Sequence, residues 1–280
     1  MSEQSSNEVK LKPDQIPEGW SQIAEVYERA FEPVTSQLAA EALRLLKLEE
    51  GDRVLDVATG PGTFALAAAR AGGEVLATDF AAGMIERLGQ RIAQDAVTNI
   101  TTAVMDGQSL DAEDASFEIS ASIVGAIFFP DIVKGVVELR RVLKPGGRCA
   151  VVCWGKPETF EMMCCLKQAI ETVVPDFPFP SETPVWARMS GEQALTQTMS
   201  QAGFARVEIS RMHGVLPLPE PLAFWNDFTA SAPPLALLFE KLGEENTRRA
   251  GDIFSQLIIE RSSKEAPQLV AEAWVGIGYA

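Results

Sequence analysis

Three aspartates follow apolar runs in the first half of the chain: Asp56, Asp79 and Asp106. Each lies within or at the end of a run that is typical of a buried strand. An ionised carboxylate only accepts hydrogen bonds, so this set suits hydroxyl groups, amines or a cation. Gly60 and Gly62 come directly after the first run, and glycine lets the backbone approach a ligand closely. These residues therefore predict a ligand site at the ends of neighbouring strands.

One βαβ unit must position these residues. The strand over 53–57 leads into the glycine turn, and an alanine-rich helix then runs from about residue 63 to the glycines at 72 and 73. A second strand over 74–79 ends on Asp79. In such a unit the free N–H groups at the helix start point towards a ligand.

Two ligand classes use such a loop. Residues 60–65 fit the dinucleotide pattern Gly-x-Gly-x-x-Ala, and Asp79 follows at the expected distance, which leaves an NAD-binding oxidoreductase open. Asp56 argues against it, because a carboxylate just before the loop repels a pyrophosphate bound at the helix start. The same carboxylate suits S-adenosylmethionine (SAM), which carries an ammonium and a sulfonium and no phosphate.

The elements around this unit alternate along the chain. Helices over 81–95 and 131–144 separate further strands over 100–106, 117–124 and 148–154. This alternation over about 100 residues predicts an α/β protein with a doubly wound, mostly parallel sheet. Ligands bind such a sheet at the carboxyl ends of its strands, where the strand order reverses.

The two ends of the chain have other patterns. Residues 20–47 have the apolar spacing of two helices, with Pro33 ending the first. Residues 175–186 carry four prolines and should form no regular element. The remaining predicted elements are a helix over about 157–173, a helix over 191–202, a strand over 205–218, mainly helix over 220–261 and a strand over 269–280.

Composition excludes several classes of protein. The 280 residues are 46% hydrophobic and 22% charged, with a net charge of −15 and no block of Lys or Arg. This balance disfavours nucleic acid and anionic membranes as partners. The sequence contains no run of 18 apolar residues, the length that a membrane-spanning helix needs. Residues 1–16 lack the regions of a signal peptide and are predicted to be a disordered tail.

The cysteines and the single histidine argue against a metal centre. There is no Cys-x-x-Cys pair, and only His213 could join the four cysteines as a nitrogen ligand. Cys164 and Cys165 are adjacent, a poor geometry for a disulfide bond between them. Reduced thiols and a cytoplasmic location are therefore expected.

Four stretches together resemble one family. They are DVATGPG at 56–62, TDFAAGM at 78–84, MDGQSL at 105–110 and LRRVLKPGG at 139–147. Their order and spacing are similar to those of class I SAM-dependent methyltransferases of the ubiquinone/menaquinone-biosynthesis type. The resemblance covers about residues 20–155 well and extends more faintly to the C-terminus.

The resemblance implies a Rossmann-like methyltransferase fold. Its sheet would be mostly parallel and seven-stranded, with N-terminal helices and a helical lid insertion. The methyltransferase domain would cover residues 17–280. Lid and acceptor elements are expected at about 17–47, 156–190 and 219–264.

Chemistry and the resemblance assign roles to the motif residues. Asp79 can accept hydrogen bonds from both ribose hydroxyls of SAM, Asp106 can accept one from the adenine amine, and Asp56 can favour the ammonium. Tyr27 is either a packing residue or an aromatic cover over the cofactor, and the family favours the cover. The predicted cofactor-binding residues are Tyr27, Asp56, Ala58, Thr59, Gly60, Asp79, Phe80, Met84, Met105, Asp106, Gly107, Gln108, Ser122 and Ile123.

Several positions depart from the family pattern. Ala58 stands at the first glycine of the loop, Ala81 stands where serine is frequent, and Glu118 stands where aspartate is usual. Residues 123–126 read IVGA, without the N/D-P-P-Y string that accompanies methylation of base amino groups in DNA or RNA. A polynucleotide substrate is therefore disfavoured.

The methyl acceptor is predicted to bind among aromatic residues. Segments 175–186 and 220–242 are expected to form a lid over the strand ends, around an enclosed apolar pocket. Core packing is the alternative, and it is favoured for most of these aromatics. They are Phe128, Phe129, Trp154, Phe177, Phe179, Trp186, Phe224, Trp225 and Phe228.

The expected activity is transfer of the methyl group of SAM to a small, largely apolar metabolite on oxygen, carbon or nitrogen, with S-adenosylhomocysteine (SAH) as product. His213 is either a general base or an ordinary strand residue, so no catalytic residue is assigned. The alternatives are an NAD-binding oxidoreductase and a catalytically silent SAM-binding partner protein.

Overall fold

The computed structural model describes residues 12–263 and 265–280. Within them, strands form a seven-stranded sheet in the order β3-β2-β1-β4-β5-β7-β6. Neighbours among β1 to β5 are parallel, and β7 lies antiparallel between β5 and β6. The strands are β1 (Arg53–Val57), β2 (Glu74–Asp79), β3 (Ile100–Val104), β4 (Phe117–Ile123), β5 (Leu143–Trp154), β6 (Arg206–Pro217) and β7 (Gln268–Tyr279). The predicted fold class is confirmed.

Helices cover both faces of this sheet, so its central strands are apolar on both sides. Val54 and Leu55 are successive residues of β1 that point to opposite faces, and both are fully buried. The helices are α1 (Pro17–Gln22), α2 (Ala24–Leu46), α3 (Thr63–Arg70), α4 (Ala82–Gln94), α5 (Ile132–Arg141), α6 (Glu161–Val173), α7 (Glu192–Gln201), α8 (Pro221–Ala230), α9 (Pro233–Leu242) and α10 (Glu244–Arg261).

The predicted helix break at Pro33 is wrong. Helix α2 runs through Pro33, and the break lies instead at Ile23, between α1 and α2. Proline removes one backbone donor from the helix. Burial of Phe31 and Val34 on both sides of it, and of Leu38 one turn later, outweighs that loss.

Strand β5 begins earlier than predicted. It starts at Leu143, which pairs with Phe117, and the register then shifts so that Arg148 pairs with Ile119. The intervening Pro-Gly-Gly forms an irregularity within the strand, and Gly146 adopts a φ of +82° there. The glycine run therefore bends a strand that the sequence pattern had placed wholly after it.

The predicted disordered tail extends too far at its C-terminal end. Residues 1–11 lie outside the described residues, but Pro13–Gln15 form a 3-10 turn in which Asp14 is buried. Proline starts this turn, and the side chain of Gln15 bonds to the backbone N–H of Lys12 at its start. In the described part of the chain, no helix is both long and apolar enough to cross a membrane.

Candidate active site

A cavity of about 240 Å³ opens at the carboxyl ends of β1, β2 and β4. It lies where the strand order reverses, as expected for a doubly wound sheet. We call residues 56–60, 79–84 and 105–108 its floor, and residues 14–27 and 124–130 its roof. All the predicted cofactor residues line this cavity except Ser122, whose buried hydroxyl accepts a hydrogen bond from the N–H of Ala126 at 2.9 Å.

Asp79 ties the two central loops of the floor together. It is 6% exposed, and its two carboxylate oxygens accept hydrogen bonds from the N–H groups of Gly60 and Ala81, each at 2.9 Å. Each oxygen keeps a further lone pair for a ligand hydroxyl. Burial raises the pKa of Asp79 to about 6, against the opposing effect of the backbone N–H groups.

Asp56 is the second buried carboxyl group of the floor. It is 1% exposed and accepts a hydrogen bond from the Thr59 hydroxyl at 2.5 Å. Burial raises the pKa of Asp56 to about 7; Thr59 lowers it, and the charge of Asp79 raises it further. Two acids that ionise reluctantly side by side favour a cationic ligand and oppose a pyrophosphate.

Two non-glycine residues beside the cavity adopt a left-handed backbone conformation. Ala58 has φ +54° and Val124 has φ +51°, and a positive φ is a strained state for a β-branched residue. Ala58 thus keeps the geometry expected of the glycine that it replaces. A Cβ on Gly125 would lie 2.5 Å from that of Ala58, so the ends of β1 and β4 touch here. Strain of this kind clusters at ligand sites.

The far end of the floor is a narrow slot next to β3. A Cβ on Gly107 would lie 2.5 Å from the Phe129 ring, so a larger residue would have to displace a neighbouring side chain. Asp106 is exposed and accepts a hydrogen bond from the N–H of Gln108 at 2.9 Å. Met84 is buried on the first turn of α4. An apolar slot that ends in a carboxylate suits a flat ring bearing an amine.

Aromatic rings build the roof. The Trp20 ring lies 5.0 Å from that of Phe128 and 5.9 Å from that of Tyr27, measured between centroids. The Tyr27 ring faces Gly60, since a Cβ there would lie 3.9 Å from it. Burial raises the pKa of Tyr27 above its ordinary value, and the charge of Asp79 adds to this rise. Tyr27 is therefore the roof residue that faces the floor at Gly60.

Helix α1 is fastened directly to α4. The Ser21 hydroxyl accepts a hydrogen bond from the N–H of Gly83 at 3.1 Å, in the first turn of α4. A Cβ on Gly83 would lie 2.3 Å from the Ser21 carbonyl oxygen, so the two backbones are in contact. Ala81, the residue before α4, provides no side-chain cap. Ser21 thus supplies the hydroxyl that is missing at Ala81.

The expected aromatic lid does not line this cavity. Of the aromatic residues predicted for the acceptor side, only Phe128 and Phe129 reach it. Trp154 stacks on Phe160 at 4.9 Å, and Trp225 packs on Phe254 at 4.9 Å inside the helical layer. Among the residues that the structure describes, segments 156–190 and 219–264 contribute none that line the cavity. The prediction of segments 175–186 and 220–242 as the lining of a lid is therefore wrong for this cavity.

Several lining residues were missed as site residues. Trp20 shares the helical stripe of Tyr27, a signal that could have identified it, whereas nothing in the sequence marks Asp14. His213 is exposed on β6, which pairs only with β7 in the described sheet, and does not line the cavity. The missed lining residues are Asp14, Gln15, Trp20, Thr35, Pro61, Thr63, Phe64, Val124, Gly125 and Pro130.

Comparison with known proteins agrees with this architecture. Residues 54–147 match the family model of a methyltransferase domain. The chain is 32% identical over 163 residues to an uncharacterized protein of Mycobacterium tuberculosis, and the match covers 58% of each chain. It is 26% identical over 221 residues to the demethylmenaquinone methyltransferase of Staphylococcus saprophyticus, covering 73% of this chain and 94% of that one.

A solved structure shares the fold. Phosphoethanolamine N-methyltransferase 2 of Haemonchus contortus, with SAH and phosphomonomethylethanolamine bound, has a TM-score of 0.54 at 15% identity, covering 86% of this chain and 52% of that one. The sheet order and the strand-end cavity define a Rossmann-like methyltransferase fold. Residues 54–147 thus form a methyltransferase domain, and the domain match and these relatives support the class I SAM-dependent methyltransferase that the four motifs predicted.

Proposed function

We propose that this protein transfers the methyl group of SAM to a small, largely apolar metabolite. The observation that carries the proposal is the pair of buried carboxyl groups, Asp56 and Asp79, beside a glycine turn at the switch point of the sheet. This pair suits a ligand with positive charge and vicinal hydroxyls, and it opposes the pyrophosphate of NAD. The donors and acceptors present therefore fit SAM.

The floor provides a partner for each part of the cofactor. Asp79 would accept hydrogen bonds from the ribose hydroxyls, and Asp56 would favour the methionine ammonium. Asp106 and the slot at Gly107 would hold the adenine, with Met84 against its face. Bound SAM would supply an electrophilic methyl group on sulfur. The chain's own residues would hold it in line with the acceptor and keep water away.

The acceptor is proposed to enter between the floor and the roof. Trp20, Phe128 and Phe129 offer apolar surface there, which suits a small molecule with an aromatic or alicyclic body. We propose one methyltransferase domain over residues 17–280. Its N-terminal segment would cover the site, and segments 156–190 and 219–264 would support it from outside. Transfer to oxygen, carbon or nitrogen fits this arrangement equally well.

We propose a cytoplasmic location without nucleic-acid partners. The net charge of −15 repels polyanions, and all four cysteines are free thiols. A polymer would need an open groove, whereas Trp20 in the roof is buried over the strand ends. These features support a metabolite as the acceptor.

The proposal is tested by product formation. Purified protein is incubated with SAM and a panel of phenols, hydroquinones and amines, and SAH is measured by mass spectrometry against a sample without acceptor. We expect acceptor-dependent SAH formation that is lost in Asp79→Ala. Binding of SAM without SAH formation across the panel would identify a silent SAM-binding protein.

A further inference from the structure

Asp14 is a buried acid with an unused oxygen. It is 2% exposed and lines the cavity, and its Oδ2 atom has no hydrogen-bond partner within residues 12–263 and 265–280. Burying a polar atom without a partner is costly, and more so when the group carries a charge. A group that is held there at such a cost is a candidate for ligand binding.

The local structure fixes Asp14 in this position. It is the central residue of the turn Pro13–Gln15, whose proline restricts the backbone. The Trp20 indole N–H donates a hydrogen bond to the Asp14 carbonyl oxygen at 2.9 Å. Because the backbone is anchored through its carbonyl, the side chain remains available to the cavity.

Asp14 belongs to the acceptor side of the cavity. Trp20, which bonds to its backbone, packs on Phe128 in the segment after β4. Arg188, whose charge acts on Asp14, donates hydrogen bonds to the carbonyl oxygens of Ile127 at 3.2 Å and Phe129 at 2.7 Å. The floor acids Asp56 and Asp79 stand at the ends of β1 and β2 instead.

The charges around Asp14 select the chemistry of its partner. Burial raises the pKa of Asp14, and the opposing attraction from Arg188 and Lys12 is smaller. The positive charges of Arg188 and Lys12 act on this carboxyl group and lessen its need for a cationic partner. The aromatic rings of Trp20 and Phe128 flank the same space. A neutral ring with a hydroxyl donor satisfies both the free oxygen and the apolar walls.

We propose that Asp14 determines acceptor specificity by accepting a hydrogen bond from a hydroxyl group on an aromatic acceptor. The inference rests on the proposed function, since it places the acceptor beside bound cofactor. Asp14 acts as a binding and positioning residue. It distinguishes a hydroxylated ring from the same ring whose hydroxyl is blocked.

Calorimetry on SAH-saturated protein tests this proposal with two probes, 1-naphthol and 1-methoxynaphthalene. The wild type should prefer naphthol by about 10- to 100-fold, because only naphthol can donate to Asp14. Asp14→Ala should abolish the preference. The matched control Glu18→Ala, which removes an exposed carboxyl group four residues away, should retain it.

A second readout separates a binding role from a structural one. Without ligand, Asp14→Ala should leave the thermal midpoint unchanged or raise it, since it removes a buried group without a partner. A naphthol preference that survives Asp14→Ala, or naphthol failing to bind at all, would overturn the inference. A large drop in the midpoint would assign Asp14 to the fold. SAH affinity is measured first, and its absence in the wild type would instead refute the proposed function.

Discussion

The floor of the cavity is held by backbone N–H groups, whereas its roof is held by side chains. Asp79 accepts hydrogen bonds from the N–H groups of Gly60 and Ala81, so the floor acid is part of the loop framework. In the roof, the Trp20 ring and the Ser21 hydroxyl carry the contacts. A floor built on the backbone can hold one cofactor in one place, while a roof built from side chains can differ with the acceptor.

The largest expected effect comes from removing the floor acid. Asp79→Ala should weaken SAH binding by about 2–4 kcal/mol through loss of charge-assisted hydrogen bonds to the ribose. It should also lower the free energy of unfolding by about 1–3 kcal/mol, because the partly buried N–H of Gly60 and the buried N–H of Ala81 lose their acceptor. Calorimetry and chemical denaturation measure the two effects. Asp79→Asn, which keeps one acceptor oxygen, should fall between the wild type and Asp79→Ala on both scales.

A smaller effect is expected where floor and roof meet. Gly125→Ala should cost about 1–3 kcal/mol of unfolding free energy, because its methyl would overlap that of Ala58. Adding Ala58→Gly removes the opposing methyl and one strained φ, so the double variant should recover part of the loss. Denaturant titrations of the four proteins form a double-mutant cycle. Strict additivity would mean that the two loops are not coupled.

The floor acids make cofactor binding depend on pH. The pKa values of Asp56 and Asp79 are raised to about 7 and about 6, from 3.8 for an ordinary aspartate. The folded state then binds more protons than the unfolded chain from about pH 4 to 7, so stability without ligand should fall as pH rises through that window. SAM binding should strengthen over the same rise, by about tenfold between pH 6 and 7.5, since its positive charge favours ionised Asp56.

Thermal denaturation between pH 4 and 7 measures how stability depends on pH, and calorimetry between pH 6 and 7.5 measures how SAM affinity depends on pH. Repeating the titration in buffers of different ionisation enthalpy should reveal proton release when SAM binds near pH 6.5. Asp56→Asn removes the acid of higher pKa, so the proton release should decrease in that variant. SAM affinity that is constant from pH 6 to 7.5 would contradict the assigned role of Asp56.

The smallest effect concerns the attachment of the roof. Ser21→Ala should lower the unfolding free energy by about 1 kcal/mol, because the first turn of α4 loses its capping hydroxyl. Gly83→Ala at the same junction should cost more, since it pushes α1 away from α4. Both are measured by thermal denaturation with and without SAH. If SAH affinity also falls in Ser21→Ala, the roof stabilises the cofactor as well as the acceptor.

The difference between the floor and the roof explains which parts of the site could be predicted from the sequence. The floor follows from local pattern, because a strand that ends on Asp79 and a glycine turn at Gly60 place their own groups at the sheet edge. The roof depends on contacts between distant segments. Asp14 and Trp20 reach the cavity only because α1 docks on α4, and no spacing near residue 14 encodes that docking. Continuation of α2 through Pro33 has the same origin, since burial on the sheet overrides the local preference.

Ala58 shows a second limit of predicting structure from a sequence motif. Replacement of a loop glycine suggests a changed backbone, yet Ala58 retains a φ of +54°. Gly125, which has no side chain, leaves room for the Ala58 methyl group in this conformation. The aromatic residues of segments 175–186 and 220–242 were misplaced for a related reason. Their composition suits a pocket or a core equally, and only the packing of α8 and α10 distinguishes the two.

Calorimetric titration of the wild-type protein with SAM and with NADH, in one buffer, distinguishes the two classes of cofactor. We expect one SAM site per chain and no heat of binding for NADH, because Asp56 and Asp79 favour a cation and repel a pyrophosphate. Binding of NADH without binding of SAM would contradict this expectation.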